Sequence, residues 1–119
     1  MSWFLSKIVY RIICGAGHHK AQFDEQLRLI QATNQQQAFE KAHYIGTSEQ
    51  MSFKNDKQQL VQWKFINVSE VYQLHDIVDG TEIYSRIEEK DDAWTYEAYV
   101  HARAQHFLND VNAAYLQSA

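Results

Sequence analysis

Charged side chains interrupt two stretches that otherwise alternate in the manner of buried strands. Lys7 and Arg11 fall on the odd-numbered face of residues 3–13, whose other members are apolar, and Glu25 falls between apolar side chains within residues 23–29. A buried charge is costly unless it is paired and hydrogen-bonded. The three residues therefore predict a polar pocket that binds a small ligand, a structural ion pair, or charges at the solvated edge of one face.

A hairpin would bring these charges together. The tripeptide Gly15-Ala16-Gly17 supplies the permissive backbone of a turn, so we predict that residues 3–13 and 22–30 form an antiparallel pair. If the turn is centred on this tripeptide's alanine, Lys7 lies opposite Glu25 on one sheet face, or diagonal to it by two residues.

The histidines and the cysteine lack the spacing of a metal or catalytic site. A helical zinc pair needs a spacing of three or four residues so that both side chains share a face, whereas His101 and His106 are five residues apart. The single cysteine, Cys14, excludes an intramolecular disulfide and ends an apolar strand, where cysteine commonly behaves as a small hydrophobe. We therefore expect no metal site, no cofactor and no catalytic residue.

The hydrophobic period and the turn residues predict the elements after the hairpin. Asn34 followed by Gln37 predicts the start of a helix, and Gly46 predicts its end. A short strand is predicted at about residues 50–54, and a longer strand runs from Val61 towards Val68.

The pattern after Val68 is compatible with two arrangements of strands. Residues 71–74 either continue the longer strand or begin another one, and Asp79-Gly80 is a turn signal. Residues 81–87 are then predicted to form the last strand. The fold class is therefore α+β, with a mostly antiparallel sheet in the order β-β-α-β-β-β, followed by a C-terminal helix.

This last helix is predicted over residues 91–116, where the period changes from two to about 3.6. Asp91 or Asp92 is placed as its N-cap. Its apolar stripe consists of Tyr96, Val100, Ala104, Phe107, Val111 and Ala114. A helix of this length packs either on the sheet of its own chain or on a second copy, as a homodimer.

Length and charge bound the class of protein. A chain of 119 residues fits one domain, residues 1–119, and a net charge of −4 gives no electrostatic reason to bind nucleic acid. No stretch approaches the roughly 20 apolar residues of a membrane span. A single cysteine is typical of a reducing compartment. We expect a cytoplasmic protein with no nucleic-acid and no membrane partner.

Several segments, taken in their order along the chain, resemble one bacterial family, the domain of unknown function 4288. They are the aromatic-led WFLSKIVYRI, then FDEQLRLIQA, AFEKAHYIG, VQWKFINVSEVYQL and DGTEIYS, which together cover about residues 3–86. The resemblance implies a shared pattern that includes Glu25, Trp63, Phe65, Glu82, Tyr84 and Ser85. It implies no activity, ligand or catalytic residue, and residues 91–119 lie outside it.

The function predicted from these observations is a small, non-catalytic binding or protein-interaction domain. Two alternatives stay open: a small-ligand-binding domain or enzyme with a polar pocket around Lys7, Glu25 and Glu82, and an immunity-like inhibitor of a toxin. The partner would be the chain itself, through its C-terminal helix, or another protein. The candidate ligand or interaction residues are Lys7, Arg11, Glu25, Trp63, Glu82, Tyr84 and Ser85.

Overall fold

The structure is a computed structural model that describes residues 1–118. Its elements are β1 (Ser2–Cys14), β2 (Gln22–Ala32), α1 (Gln35–Ser48), β3 (Met51–Lys54), β4 (Leu60–Leu74) and α2 (Ala93–Ser118). The strands form one antiparallel sheet in the order β2-β1-β4-β3. The predicted α+β class is confirmed. The chain divides into two compact units, Met1–Ser85 and the part that begins at Arg86, and the single domain over residues 1–119 stays a prediction.

The β1–β2 hairpin forms as predicted, but its register differs by two residues from direct Lys7–Glu25 pairing. Lys7 lies opposite Leu27, and Glu25 lies opposite Val9. The register is centred on Gly17, which has a left-handed φ of 82°, and not on Ala16. Moving a turn centre by one residue moves the register by two, so every side chain stays on its face. Lys7 and Glu25 are consequently diagonal neighbours.

The segment 71–74 continues β4, so this strand runs unbroken from Leu60 to Leu74. Its pairing with β1 shifts twice, because Ile66 and Ser69 have no partner there. Each is a β-bulge, in which one residue is inserted without ending the strand. At the first bulge the side chain of Asn67 accepts a hydrogen bond from the N–H of Val68 at 2.8 Å.

Helix α1 packs on one face of the sheet, here called the helix face. The core joins strand residues to the small side chains of the helix; its buried members are Phe4, Ile8, Tyr10, Ile30, Ala32, Ala38, Ala42 and Val68. The helix begins as predicted: the Asn34 side chain accepts from the Gln37 N–H at 2.8 Å, and the Gln37 side chain accepts from the Thr33 N–H at 2.7 Å. These contacts satisfy backbone donors at the helix start.

Gly46 does not end α1, contrary to the sequence prediction, since the helix continues to Ser48. The glycine is needed for a close approach instead. A Cβ atom at this position would lie 2.3 Å from Cε1 of Phe65, far inside van der Waals contact. The Gly46 carbonyl also accepts a hydrogen bond from the buried hydroxyl of Tyr10 at 2.9 Å. Gly46 therefore lets α1 pack closely against β4 and β1.

The strand predicted at residues 81–87 does not form, and this part of the prediction is wrong. Asp79-Gly80 does make a turn, with Thr81 N–H donating to the Val78 carbonyl at 3.0 Å, but no strand follows it. The reason is that Tyr84 is held by its side chain on the sheet surface opposite α1, where its backbone has no neighbouring strand to pair with.

The unit that begins at Arg86 consists of an irregular segment and α2. Of the two predicted N-caps, Asp92 fills the role: its carboxylate accepts from the Thr95 N–H at 3.3 Å and also contacts the Thr95 hydroxyl. These hydrogen bonds lower the pKa of Asp92. The predicted apolar stripe lies along the helix, and all of its residues are exposed in the single chain.

Candidate functional site

Lys7 lies at the centre of the sheet surface opposite α1, here called the open face. It is flanked by Leu27 of β2 and Glu70 of β4. Only 8% of Lys7 is exposed, so its charge needs partners within the protein. The sequence analysis correctly identified this charge as an exception within an apolar strand.

Three side chains satisfy one another around this charge; we call them the Lys7 triad. The Lys7 ammonium lies 3.1 Å from Oε2 of Glu70 and donates to the Tyr84 hydroxyl at 2.9 Å. The Tyr84 hydroxyl donates in turn to the same Glu70 oxygen at 3.3 Å. Tyr72 packs edge-on against the Tyr84 ring, with 6.3 Å between the ring centroids.

The triad stabilises the charged forms of both ionisable partners. The Tyr84 hydrogen bond, followed by the contact with Glu70, raises the pKa of Lys7, although burial opposes the shift. Lys7 lowers the pKa of Glu70. Burial, assisted by the nearby Glu70 charge, raises the pKa of Tyr72. A lysine with a raised pKa and a paired carboxylate is poorly suited to nucleophilic or general-base chemistry at neutral pH.

A cavity of about 170 Å³ lies beside the triad, between the end of β4 and the segment that carries Tyr84. It is lined by residues of β4, among them Tyr72 and Leu74, and by Glu82, Tyr84 and Ser85. Three of the predicted candidate residues therefore line one cavity. Its volume is below the roughly 300–1,000 Å³ usual for small-molecule pockets.

The remaining candidates lie elsewhere. Glu25 is exposed on the open face and makes no ion pair with Lys7, so the cluster predicted around Lys7, Glu25 and Glu82 is not assembled as such. Arg11 is also on the open face, directly opposite Lys64 of β4. Within residues 1–118 neither of these two cations forms an ion pair.

Trp63 belongs to the other side of the sheet. Its indole N–H donates to Oδ2 of Asp24 at 3.2 Å, and its ring stacks on Phe53. Asp24 continues a polar chain along β2 through Gln26 and Arg28. Arg28 then pairs with Glu49, the C-cap of α1, at 2.8 Å. Trp63 is therefore linked through these polar side chains of β2 to the C-terminal end of α1, and it does not belong to the Lys7 triad.

The open face also exposes several large apolar side chains. Phe23, Leu27 and Leu29 of β2 are 55%, 45% and 52% exposed, and Trp3 of β1 is 39% exposed. The pairing register places all four on the same sheet surface as Lys7. The exposed cations Arg11 and Lys64 lie on the same surface.

Glu70 and Tyr72 were not identified from the sequence. Both lie on the open face because they pair with Lys7 and Leu5 of β1, and the sequence did not indicate that β4 is the second neighbour of β1. The signal that was available is the need of Lys7 for a carboxylate, which Glu70 meets from the neighbouring strand.

Two further properties complete the description of the chemistry. Among the described residues, no three His, Cys, Asp or Glu side chains are grouped so that they could hold a metal ion. Within the same part of the chain, no helix has both the length and the apolar character needed to span a bilayer.

The chain belongs to the family described as domain of unknown function DUF4288, whose model matches residues 3–85. This match ends at the boundary of the first compact unit, Met1–Ser85. It confirms the resemblance inferred from the ordered strand and helix segments. No curated protein and no solved structure matches the chain.

Proposed function

We propose that this chain is a non-catalytic protein-interaction domain of the bacterial cytoplasm, and that its binding surface is the open face of the sheet. The observation that carries the proposal is the exposure of Trp3, Phe23, Leu27 and Leu29 on one sheet surface, where Glu25 lies between Phe23 and Leu27. Grouped apolar residues of this kind commonly mark interaction sites in folded proteins.

The charged groups of this face support binding in preference to catalysis. Lys7, the one cation at its centre, is neutralised by Glu70 and hydrogen-bonded to Tyr84. Catalytic groups are expected to lie together at a pocket, where ionisable side chains lack hydrogen-bond or ion-pair partners or have pKa values shifted in opposite directions. The Lys7 triad instead attaches the segment that carries Tyr84 to the sheet.

The charges at one end of the face indicate the chemistry of the partner. Arg11 and Lys64 lie directly opposite each other, next to Phe23, and like charges in that relation repel. A carboxylate supplied by a partner would relieve this repulsion and gain two charge-assisted hydrogen bonds. We therefore infer a partner segment that combines apolar side chains with an adjacent Asp or Glu.

Display selection with a random peptide library on the immobilised chain tests this function. We expect enriched peptides to contain apolar residues beside an acidic residue, and synthetic copies to bind in fluorescence anisotropy. Leu27→Asp should weaken binding at least tenfold, because it places a charge within the apolar surface. Arg11→Glu should also weaken binding, because the new carboxylate would repel the acidic residue of the peptide.

Tyr44→Asp provides the matched control, since Tyr44 is 73% exposed on α1, away from the open face. It should leave peptide binding unchanged. A selection that yields no peptide, or only peptides that bind Leu27→Asp as tightly as the parent chain, contradicts the proposal.

A second candidate is a small-ligand site in the cavity beside Tyr84. Its support is that Glu82, Tyr84 and Ser85 line this cavity and lie within the residues that the family model matches. A library of small polar compounds, screened by melting temperature, tests it. A hit should lose its effect in Ser85→Trp, which fills the cavity, and keep it in Leu27→Asp. The inhibitor hypothesis rests on small size and acidity alone.

A further inference from the structure

Helix α2 carries an apolar stripe with the repeat of a coiled coil. Val100, Ala104, Phe107, Val111 and Ala114 follow one another at alternating spacings of four and three residues. This alternation averages 3.5 residues, which keeps a seam of side chains facing a second helix along its whole length. A stripe that packs on a curved sheet needs no such strict alternation.

The side chains of the seam are exposed. Val100 and Val111 are each 45% exposed and Phe107 is 65% exposed. Most helix stability in proteins comes from burial of an apolar face. The exposure of the seam and its repeat therefore both indicate a helical partner for this 26-residue helix.

We propose that α2 pairs with α2 of a second copy of this chain in an antiparallel, two-fold symmetric arrangement. In this register Val100 packs against Val111 of the partner subunit, and Ala104 packs against the partner's Phe107. Each layer then joins two medium side chains or one small and one large side chain, which fills the interface evenly. Under two-fold symmetry each of these contacts occurs twice.

Charge complementarity selects the antiparallel direction. Arg103 and Asp110 each immediately precede a seam residue, so they flank the seam on the same side. Antiparallel pairing places Arg103 beside the partner's Asp110 on both sides of the symmetry axis, and such flanking ion pairs set helix orientation. Among residues 1–118 of one chain Arg103 forms no ion pair, and the one ion pair of Asp110 is with His106, at 3.5 Å.

The parallel arrangement is disfavoured by the same residues. It places Arg103 beside the partner's Leu108, so the two complementary charges never meet. It also continues the seam to Glu97 and places this carboxylate directly against the partner's Glu97. Two like charges at a seam position are destabilising. In the antiparallel register Glu97 faces Ala114 of the partner subunit instead.

Sedimentation or light scattering of the full chain measures the association itself. The parent chain of 14.0 kDa should show twice this mass and should dissociate on dilution. Phe107→Glu should give a monomer at concentrations where the parent chain is dimeric. Leu116→Glu is the matched control, because Leu116 is exposed on the opposite side of α2 from Phe107 and should leave the dimer intact.

Disulfide trapping determines the direction. With Cys14→Ser as background, an oxidised mixture of Val100→Cys and Val111→Cys chains should form the mixed disulfide dimer. Val100→Cys alone should not crosslink, because its two copies lie about 16 Å apart along antiparallel helices. Efficient crosslinking of Val100→Cys alone would overturn the antiparallel arrangement.

A charge exchange tests the proposed ion pair. Arg103→Asp or Asp110→Arg alone should weaken dimerisation about tenfold, because each creates two repulsive contacts. The double variant Arg103→Asp with Asp110→Arg should restore the parent affinity. A monomeric parent chain, or a double variant as weak as the single ones, overturns the inference. Circular dichroism confirms that each variant keeps its helix content, and peptide binding on the open face tests the proposed function separately.

Discussion

The two faces of the sheet differ in how far their apolar side chains are buried and in how their polar groups are paired. On the helix face, Phe4, Ile8 and Ile30 are almost completely buried under α1, and the Tyr10 hydroxyl reaches a helix carbonyl. On the open face, Leu27 and Leu29 are about half exposed, although Leu29 is followed in the same strand by the buried Ile30. The single helix of the unit Met1–Ser85 covers only one side of a four-stranded sheet.

This difference shows that, within the unit Met1–Ser85, side-chain contacts rather than a packed helix order the open face. The irregular segment that carries Tyr84 is attached there by two hydrogen bonds of the Tyr84 hydroxyl, with Lys7 and with Glu70, and by one aromatic contact. The Lys7 triad thus holds a chain segment in place where the helix face relies on close packing. Trp3, Phe23, Leu27 and Leu29 stay exposed on the rest of this surface.

The comparison can be tested most strongly by truncating one side chain on each face. Ile8→Ala should destabilise the chain by about 3 kcal/mol, because Ile8 is fully buried and the substitution leaves a cavity. Leu29→Ala, on the half-exposed site of the open face, should change stability by less than about 1 kcal/mol. Urea denaturation measures both values, and equal losses would show that the two faces are equally packed.

A somewhat smaller effect is expected at the closest approach on the helix face. Gly46→Ala should cost about 2 kcal/mol through its clash with Phe65, despite the roughly 1 kcal/mol of helix propensity that alanine contributes. Gly46→Ala combined with Phe65→Leu should recover part of the loss in a thermal melt. A stabilising effect of Gly46→Ala would show that the glycine is not needed for packing.

The effect at the Lys7 triad should be smaller again, because the side chain of Glu70 is about a third exposed to solvent. Lys7→Met leaves the Glu70 carboxylate without its cation and removes the donor to Tyr84. It should lower the urea midpoint more than Arg11→Met, a matched change at an exposed cation on the same face. Similar urea midpoints for the two variants would show that the triad has no structural role.

The smallest effect is the pH dependence of this pair. The pKa of Glu70 is lowered below its ordinary value of 4.5 in the folded chain. Its contribution to stability is therefore complete above pH 4.5 and is lost as the pH falls through the folded pKa. The raised pKa of Lys7 gives a contribution that is complete below pH 10.5 and is lost as the pH rises through its folded value.

Melting curves across pH check these signs. Glu70→Gln should show a weaker loss of stability in acid than the parent chain, since the glutamine does not titrate. An unchanged acid limb in Glu70→Gln would mean that other carboxylates dominate that loss.

Sequence patterns predicted the elements well where local chemistry determines them. The alternation of β1 and β2 and the side chains of Asn34 and Gln37 gave the hairpin and the start of α1, because turns and caps depend on neighbouring residues. Lys7 was also identified correctly as a charge that needs a partner. Its partner was not, since the choice between Glu25 and Glu70 depends on register and on strand order.

The errors share a physical cause. Gly46 and the segment that contains Tyr84 have the residue types of a helix end and a strand, but long-range contacts determine their structure. Phe65 requires the absence of a side chain at Gly46, and Lys7 holds Tyr84 where no strand partner is present. Neither contact leaves a periodic signal in the sequence.

The two bulges of β4 have a consequence for how the length of this chain can vary among relatives. Ile66 and Ser69 lie opposite no residue of β1, so deleting either one would leave the pairing on both sides unchanged. A deletion elsewhere between Lys64 and Glu70 that left both bulges in place would move Glu70 to the opposite sheet surface and separate it from Lys7. Single-residue gaps in an alignment of this part of β4 are therefore expected at or beside these two positions.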